Sequence, residues 1–200
     1  MSKSRKPGTT AVLLAAGAGT RLGLGPKALL PFRGRTLVEV LADILAEGGC
    51  RGVVIVLGAE AGRVLASTEL GRHTVVVNPG WQGGMGSSFR LGVQATPPGD
   101  HVLVALVDQP GLTAEAVRAL LAAHRPGRVT AAAYPQESGG RRRGHPLLLD
   151  AALLAEAAGA ASGDAGARRF LQTHPELIDL VDCPAGGEDL DTPDQLHLLD

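Results

Sequence analysis

A repeated change of hydrophobic period constrains this 200-residue chain more than any other feature. Short unbroken apolar runs alternate with stretches whose apolar residues recur every three or four positions. The runs are Thr9–Leu14, Val53–Leu57, Thr74–Val77, His101–Val107 and Arg128–Ala133. Unbroken runs of this kind suit strands covered on both faces, not strands half open to water. Between them, Leu37–Glu47 places Leu37, Val40, Leu41, Ile44 and Leu45 along one helical stripe. Ala59–Glu69, Ser87–Ala95 and Thr113–Ala123 also read as helices, the last with Thr113 as N-cap and Glu115 in its first turn. Further helices are expected at Ala151–Ala158, Ala165–His174 and Asp194–Leu199, whereas Pro135–Arg143, rich in Gly and Arg, reads as an exposed loop or hairpin arm. The alternation predicts an α/β fold with a mostly parallel central sheet, helices on both faces and right-handed crossovers. One domain over residues 9–200 is expected, after a flexible polar segment at residues 1–8.

Composition narrows the function classes. The chain is 44% hydrophobic and 20% charged, enough to bury a core and too apolar for a disordered protein. Aromatics make up only 2%, so few rings are available to stack bases. A net charge of −1 argues against a general nucleic-acid or membrane-surface binder, and neither partner is expected. The charges are nevertheless segregated. Met1 to Val38 carries seven Lys or Arg and no acid, while Phe170 to Asp200 carries eight Asp or Glu and no Lys or Arg. Such a pairing suits a site for a polyanion and a divalent cation. Cys50 and Cys183 lie far apart without metal-ligand spacing, which fits free thiols in a reducing cytosol. No apolar run is long enough to span a membrane, so a cytoplasmic location is expected.

The strongest chemical signal follows the first apolar run: Leu14-Ala15-Ala16-Gly17-Ala18-Gly19-Thr20-Arg21-Leu22-Gly23, then Lys27. Small residues after a buried strand let backbone N–H groups approach a phosphate, and two cations can bind its oxygens. A tight turn alone would explain the glycines but not Arg21 and Lys27 in an acid-free stretch. The loop is not a Gly-Lys-Ser/Thr phosphate loop, and Gly23 stands at the wrong spacing for a dinucleotide fingerprint. Asp108 ends an apolar strand, where ligands bind in open α/β sheets, and its carboxylate could hold Mg²⁺; a helix N-cap before Pro110 is the bland alternative. Asp191, in an acid-rich segment before Thr192-Pro193, is the second candidate metal ligand, or else the start of a turn or helix.

The loop resembles that of nucleotidyltransferases of the sugar-nucleotide and molybdenum-cofactor group, with a pattern close to LAAGxGxRxGxxK and three residues between Gly23 and Lys27. Asn78-Pro79, Gly84-Met85-Gly86-Ser87-Ser88-Phe89, Asp108-Gln109-Pro110, Gly144-His145-Pro146, Gly163-Asp164 with Gly166 and Arg168, and Asp189-Leu190-Asp191-Thr192-Pro193 continue it in order. The set resembles the molybdenum cofactor cytidylyltransferase branch of the MobA-like NTP transferase family. That resemblance implies a single-domain, Rossmann-like nucleotidyltransferase fold. It also implies transfer of CMP from CTP to the phosphate of molybdenum-loaded molybdopterin, with Mg²⁺ as cofactor and pyrophosphate released. A molybdenum hydroxylase apoenzyme is the implied protein partner. GTP, another phosphate acceptor, or a silent nucleotide-binding cofactor chaperone are the alternatives.

By the same resemblance Leu14, Ala15, Ala16, Gly17, Gly19 and Thr20 line the nucleotide, with Arg21, Lys27 and Asp108 catalytic. Asn78, Gly86, Ser87 and Ser88 belong to a second nucleotide loop, where the serines could equally cap the next helix. Gln109, Pro110, His145, Asp164 and Arg168 are expected to face the acceptor, and Asp108 with Asp191 to hold the metal. Trp81 and Met85 read as packing residues of a loop lid, and Arg141–Arg143 as a solvated loop.

Overall fold

A computed structural model describes residues 7–136, 139–183 and 187–199. Most of the expected 1–8 segment therefore lies outside the described residues, although the Gly8 amide donates to Asp100 Oδ1 at 3.2 Å. Nine strands are described: β1 (Thr9–Ala15), β2 (Pro31–Phe32), β3 (Arg35–Thr36), β4 (Gly52–Leu57), β5 (Thr74–Val77), β6 (His101–Leu106), β7 (Val129–Pro135), β8 (Arg141–Leu149) and β9 (Ile178–Asp182). The α-helices are α1 (Leu37–Glu47), α2 (Ala61–Ala66), α3 (Met85–Gln94), α4 (Ala114–Ala123), α5 (Leu154–Ala160) and α6 (Arg168–Thr173). A single α/β domain results, built on a mostly parallel seven-stranded sheet in the order β5-β4-β1-β6-β8-β7-β9.

The unbroken apolar runs are explained by burial on both faces. Along β1, Ala11 and Leu13 join one core with Leu41, Ile55 and Leu103, while Val12 joins the other with Val54, Phe89 and Phe170. α1 covers the first face, and its N-terminus carries a capping box in which Glu39 accepts from both the backbone and side chain of Thr36. α3 covers the second face at Gly92, where a Cβ would come within 2.4 Å of Val12 Cγ1. Thr113 caps α4 as expected, accepting from the Ala116 amide at 3.1 Å.

Several sequence expectations need correction. Pro135–Arg143 is not a loop throughout: Arg141–Arg143 opens β8, which pairs antiparallel with both β6 and β7. Residues 137–138 of that stretch lie outside the described residues. Arginines on one strand and apolar Leu147–Leu149 at its far end hid a strand whose two halves meet different surroundings. β9 is also unforeseen. Its half-exposed residues and acids mask an edge strand, pairing parallel to β7. The expected helices at Ala59–Glu69 and Ala165–His174 are shorter, and Asp194–Leu199 is a 3₁₀ turn over Pro193–Leu199.

Asp179 fastens β9 to the sheet. Its carboxylate accepts from Arg125 at 2.7 and 3.0 Å and from Arg128 at 2.8 Å twice. Hydrogen bonds from Arg128 and Arg125 hold it well below the usual carboxylate range. A lowered folded pKa gives stability that is present above the ordinary value of 3.8 and lost as pH falls below it. Asp179→Asn is therefore expected to cost roughly 1 kcal/mol in denaturant unfolding at pH 7. The difference from wild type should shrink as pH drops below 3.8. An equal difference at both ends of that range would show that the loss is not electrostatic.

Candidate functional site

The sheet order reverses at β1. The chain moves outward through β4 and β5 on one side, then returns through β6 on the other. Loops leaving the C-terminal ends of β1 and β6 must diverge there, which opens a crevice at the switch point. A cavity of about 420 Å³ occupies it, lined among others by Leu14, Ala16, Gly17, Gly19, Thr20, Arg21, Lys27, Ser88, Asp108, Asp164 and Asp191. The sequence-predicted phosphate loop, the β6 terminus and the acidic C-terminal segment therefore meet in one place.

The loop after β1 curls tightly. Gly19 has φ +64°, and a Cβ there would stand 2.1 Å from the Gly25 carbonyl oxygen, so glycine is required at this position. Pro26 leads into a 3₁₀ turn at Lys27–Leu29, which sends the Lys27 side chain back over the cavity floor. Its ammonium lies 3.1 Å from Asp108 Oδ2 and 2.5 Å from Asp191 Oδ1, across sequence separations of 81 and 164 residues. Arg21, 79% exposed, reaches Asp191 Oδ2 at 3.5 Å from the rim.

The C-terminal segment is held in place without regular structure. Leu190 is fully buried in the core, and its amide donates to the Asp108 carbonyl at 2.7 Å. Gln195 Oε1 accepts from the amides of Asp191 and Thr192 at 2.8 and 3.0 Å. Gln109, buried beneath, donates from Nε2 to Asp189 Oδ1 at 2.8 Å. These bonds fix Asp191 opposite Asp108.

The electrostatics follow from this enclosure. Burial raises Asp108 above its ordinary value, with Asp189 and Asp191 adding to the rise against the pull of Lys27. The hydrogen bond from Lys27 lowers Asp191. Burial works against the Lys27 charge, but Asp108 and Asp191 outweigh it and raise the ammonium. The Lys27 contribution to stability is present below 10.5 and lost as pH rises through its raised value; that of Asp191 is present above 3.8 and lost as pH falls through its lowered one. Lys27 and Asp191 thus both keep their charges across neutral pH. Among the described residues, Asp108 Oδ1 is buried and makes no hydrogen bond. An unpartnered carboxylate oxygen beside a second carboxylate fits a hard divalent cation.

The opposite wall comes from a 3₁₀ turn at Trp81–Gly83 and the start of α3, with Trp81, Gln82, Gly84 and Met85 lining the cavity. Gly84 stands in the glycine–serine block singled out from sequence, whereas Gln82 was not singled out; a polar turn directly before a helix, at the end of a parallel strand, was the available signal. Asn78 stands one layer back. It donates to Ser87 and Ser88 Oγ at 2.8 and 3.0 Å and accepts from the Gly80 amide at 2.9 Å, which shapes the wall. Gly86 and Ser87 likewise support the wall without lining the cavity, and a Cβ at Gly86 would meet Ser162 N at 2.7 Å; Ala15, at the end of β1, is also outside the lining. Of the expected acceptor residues, Asp164 lines the cavity. Gln109 and Pro110 are buried beneath it. His145 and Arg168 are outside the lining. There burial, Arg143 and Arg168 push the His145 imidazole down to about 4, so it is neutral at pH 7.

Fold and cavity together define an α/β protein with a phosphate-type loop and a lysine–dicarboxylate centre at its switch point. The comparisons give that class its family. The model of the MobA-like NTP transferase domain matches residues 11–177, and the chain belongs to that family. It is similar to the "Nicotine blue oxidoreductase" of Paenarthrobacter nicotinovorans, at 53% identity over the whole of both chains. It is also similar to the 2-C-methyl-D-erythritol 4-phosphate cytidylyltransferase of Streptomyces avermitilis, at 34% identity over 60% of this chain and 50% of the relative. A nucleotidyl transferase from Methanothermobacter superposes with a TM-score of 0.82 at 26% identity, over 96% of each chain. No helix among the described residues is long and apolar enough to cross a membrane.

Removing the ammonium between the two carboxylates tests the centre directly. Lys27→Met is expected to raise the Asp108 pKa further and to lower stability at pH 7 by roughly 1–2 kcal/mol. Carbon-detected NMR titration of the aspartate carboxyls checks the first. An Asp108 titration unchanged by the substitution would show that Lys27 does not set its charge.

Proposed function

We propose that the protein is a Mg²⁺-dependent nucleotidyltransferase that transfers CMP from CTP to the phosphate of molybdenum-loaded molybdopterin and releases pyrophosphate. The observation that carries this reading is Lys27 held between Asp108 and Asp191 beside the glycine loop. In the reaction, a phosphate oxygen of the acceptor attacks the α-phosphorus of the nucleotide in line with the leaving pyrophosphate. The attacking group is already an anion, so no general base is needed. The protein's task is positioning and neutralising charge.

Lys27 and Arg21 bind triphosphate oxygens with the backbone of the loop from Ala15 to Thr20, and the α3 N-terminus, which has no acid in its first turn, faces the same space. Asp108 and Asp191 would hold Mg²⁺, which when bound supplies Lewis-acid stabilisation of the phosphate charge. Support for CTP comes from the cytidylyltransferase relative and from the sequence resemblance to the molybdopterin branch. Asp164 is the acceptor-side residue nearest the chemistry, with His145 and Arg168 beyond it. A molybdenum hydroxylase apoenzyme is the partner consistent with that product, and a cytoplasmic site of action accords with two buried free thiols.

A second reading rests on the full-length relative, whose name describes a redox reaction on nicotine blue. The glycine loop would then hold the pyrophosphate of a nicotinamide dinucleotide that supplies hydride to a related dye. Two carboxylates facing the phosphate space, and the absent third glycine of a dinucleotide fingerprint, favour nucleotidyl transfer.

Pyrophosphate release is measured with Mg²⁺ and each of CTP, GTP, ATP and UTP, with and without molybdenum-loaded molybdopterin. Release is expected only with CTP and the pterin together, and Asp108→Asn should lower its rate about 10³-fold with the fold retained. Release with another nucleotide would change the product and keep the mechanism. No release from protein that oxidises NADH or NADPH in the presence of nicotine blue would overturn nucleotidyl transfer in favour of the second reading.

A further inference from the structure

A second cluster of ligand-type side chains lies at the opposite pole of the sheet. His101 opens β6, seven residues before Asp108 and so roughly 20 Å from it along an extended strand. Asp150 follows β8, which runs antiparallel to β6 and therefore ends beside its start. His124 is the C-cap residue of α4. Three separate elements thus deliver two imidazoles and one carboxylate to one point.

The two carboxylate–imidazole distances are those of a coordination shell. Asp150 Oδ2 lies 3.3 Å from His101 Nδ1 and 3.4 Å from His124 Nε2. The three donor atoms all lie within 4.8 Å of one another. A tetrahedral cation with bonds of about 2.0–2.1 Å sets its ligand atoms about 3.3–3.4 Å apart. The His124 side chain is 10% exposed, and its Nε2 is buried without a hydrogen bond; the Asp150 contact meets the distance but not the direction of one. The rest of the cluster is oriented from behind: His124 Nδ1 sits 3.1 Å from Thr130 Oγ1, and Asp150 Oδ1 accepts from the Ala152 amide at 2.9 Å. Such outer contacts are how ligand rings and carboxylates are aimed at a metal. The carbonyl end of the ten-residue α4 adds negative potential.

We propose that His101, His124 and Asp150 form a second metal site, separate from the nucleotide cavity, for a divalent cation of the Zn²⁺ type. Imidazole donors favour Zn²⁺ and its neighbours over Mg²⁺, which takes oxygen ligands. His101, 20% exposed at its side chain, leaves an open side for entry and for a water as fourth ligand. Loading costs one contact, because the Ala151 amide now donates to His101 Nδ1 at 3.1 Å and must release that lone pair. The bound ion would clamp α4 to the β6 and β8 ends. It takes no part in phosphate chemistry at the other pole.

Co²⁺ alone is titrated into the full-length protein, because four-coordinate Co²⁺ shows an intense visible band, and Zn²⁺ is then used to displace it. One equivalent is expected to give the band and to raise the melting temperature. His124→Gln and His101→Gln should each weaken binding at least tenfold, whereas Asp108→Asn should leave the band unchanged. Circular dichroism of the metal-free variants establishes that they fold. Should either fail to fold, Zn²⁺-induced shifts of the His101 and His124 ring nitrogens in wild-type NMR spectra provide the same test. No stoichiometric band, a band that survives both histidine substitutions, or one lost with Asp108→Asn would overturn the proposal.

Discussion

The Lys27 ammonium is the charge on which the cavity depends. Asp108, Asp189 and Asp191 converge there, and their mutual repulsion in a partly buried space needs a cation among them. Lys27 meets that need with contacts to Asp108 and Asp191. The same contacts join the first crossover loop, the end of β6 and the last acidic segment. In the proposed reaction Asp108 and Asp191 would hold the metal, and the Lys27 ammonium would bind a phosphate oxygen.

The sheet makes this convergence possible, and the segment after β9 completes it. Strand order reverses at β1, so its loop and the β6 end part from each other and leave room for a ligand. The acidic segment would drift in water were it held only by charge. Leu190 in the core and Gln195 across two amides give it a fixed course. Leu190, a hydrophobic anchor between Asp189 and Asp191, thus decides where the carboxylate proposed to hold a metal stands.

The two poles of the sheet separate two kinds of ligand chemistry. At the C-terminal ends of β1 and β6, carboxylates, a lysine and a glycine loop suit phosphates and a hard cation. At the N-terminal end of β6, two imidazoles and one carboxylate suit a softer ion. The family and the centre agree on nucleotidyl transfer. The name carried by the full-length relative makes the identity of the bound nucleotide the decisive chemical question.

Much of this architecture was legible in the residues. The unbroken runs gave five of the seven strands of the main sheet, because β1, β4 and β6 are buried on both faces; α1 kept its expected bounds and Thr113 its cap. β8 and β9 were not legible, since one mixes arginines with leucines and the other is a half-exposed edge whose ion-pair partners lie about fifty residues away. In the site, the loop glycines and cations read clearly because the need for small residues and positive charge is local. Asn78, Ser87 and Gln109 are outside the cavity lining, and which partners they hydrogen-bond, Asn78 with Ser87 and Gln109 with Asp189, was set by tertiary packing. Local chemistry, the period of the apolar runs and the small residues of the loop were determined by the sequence alone. Which carboxylates face Lys27, and which histidines meet Asp150, was decided only by the tertiary structure, because those distances depend on strand order and long-range packing that no local pattern encodes.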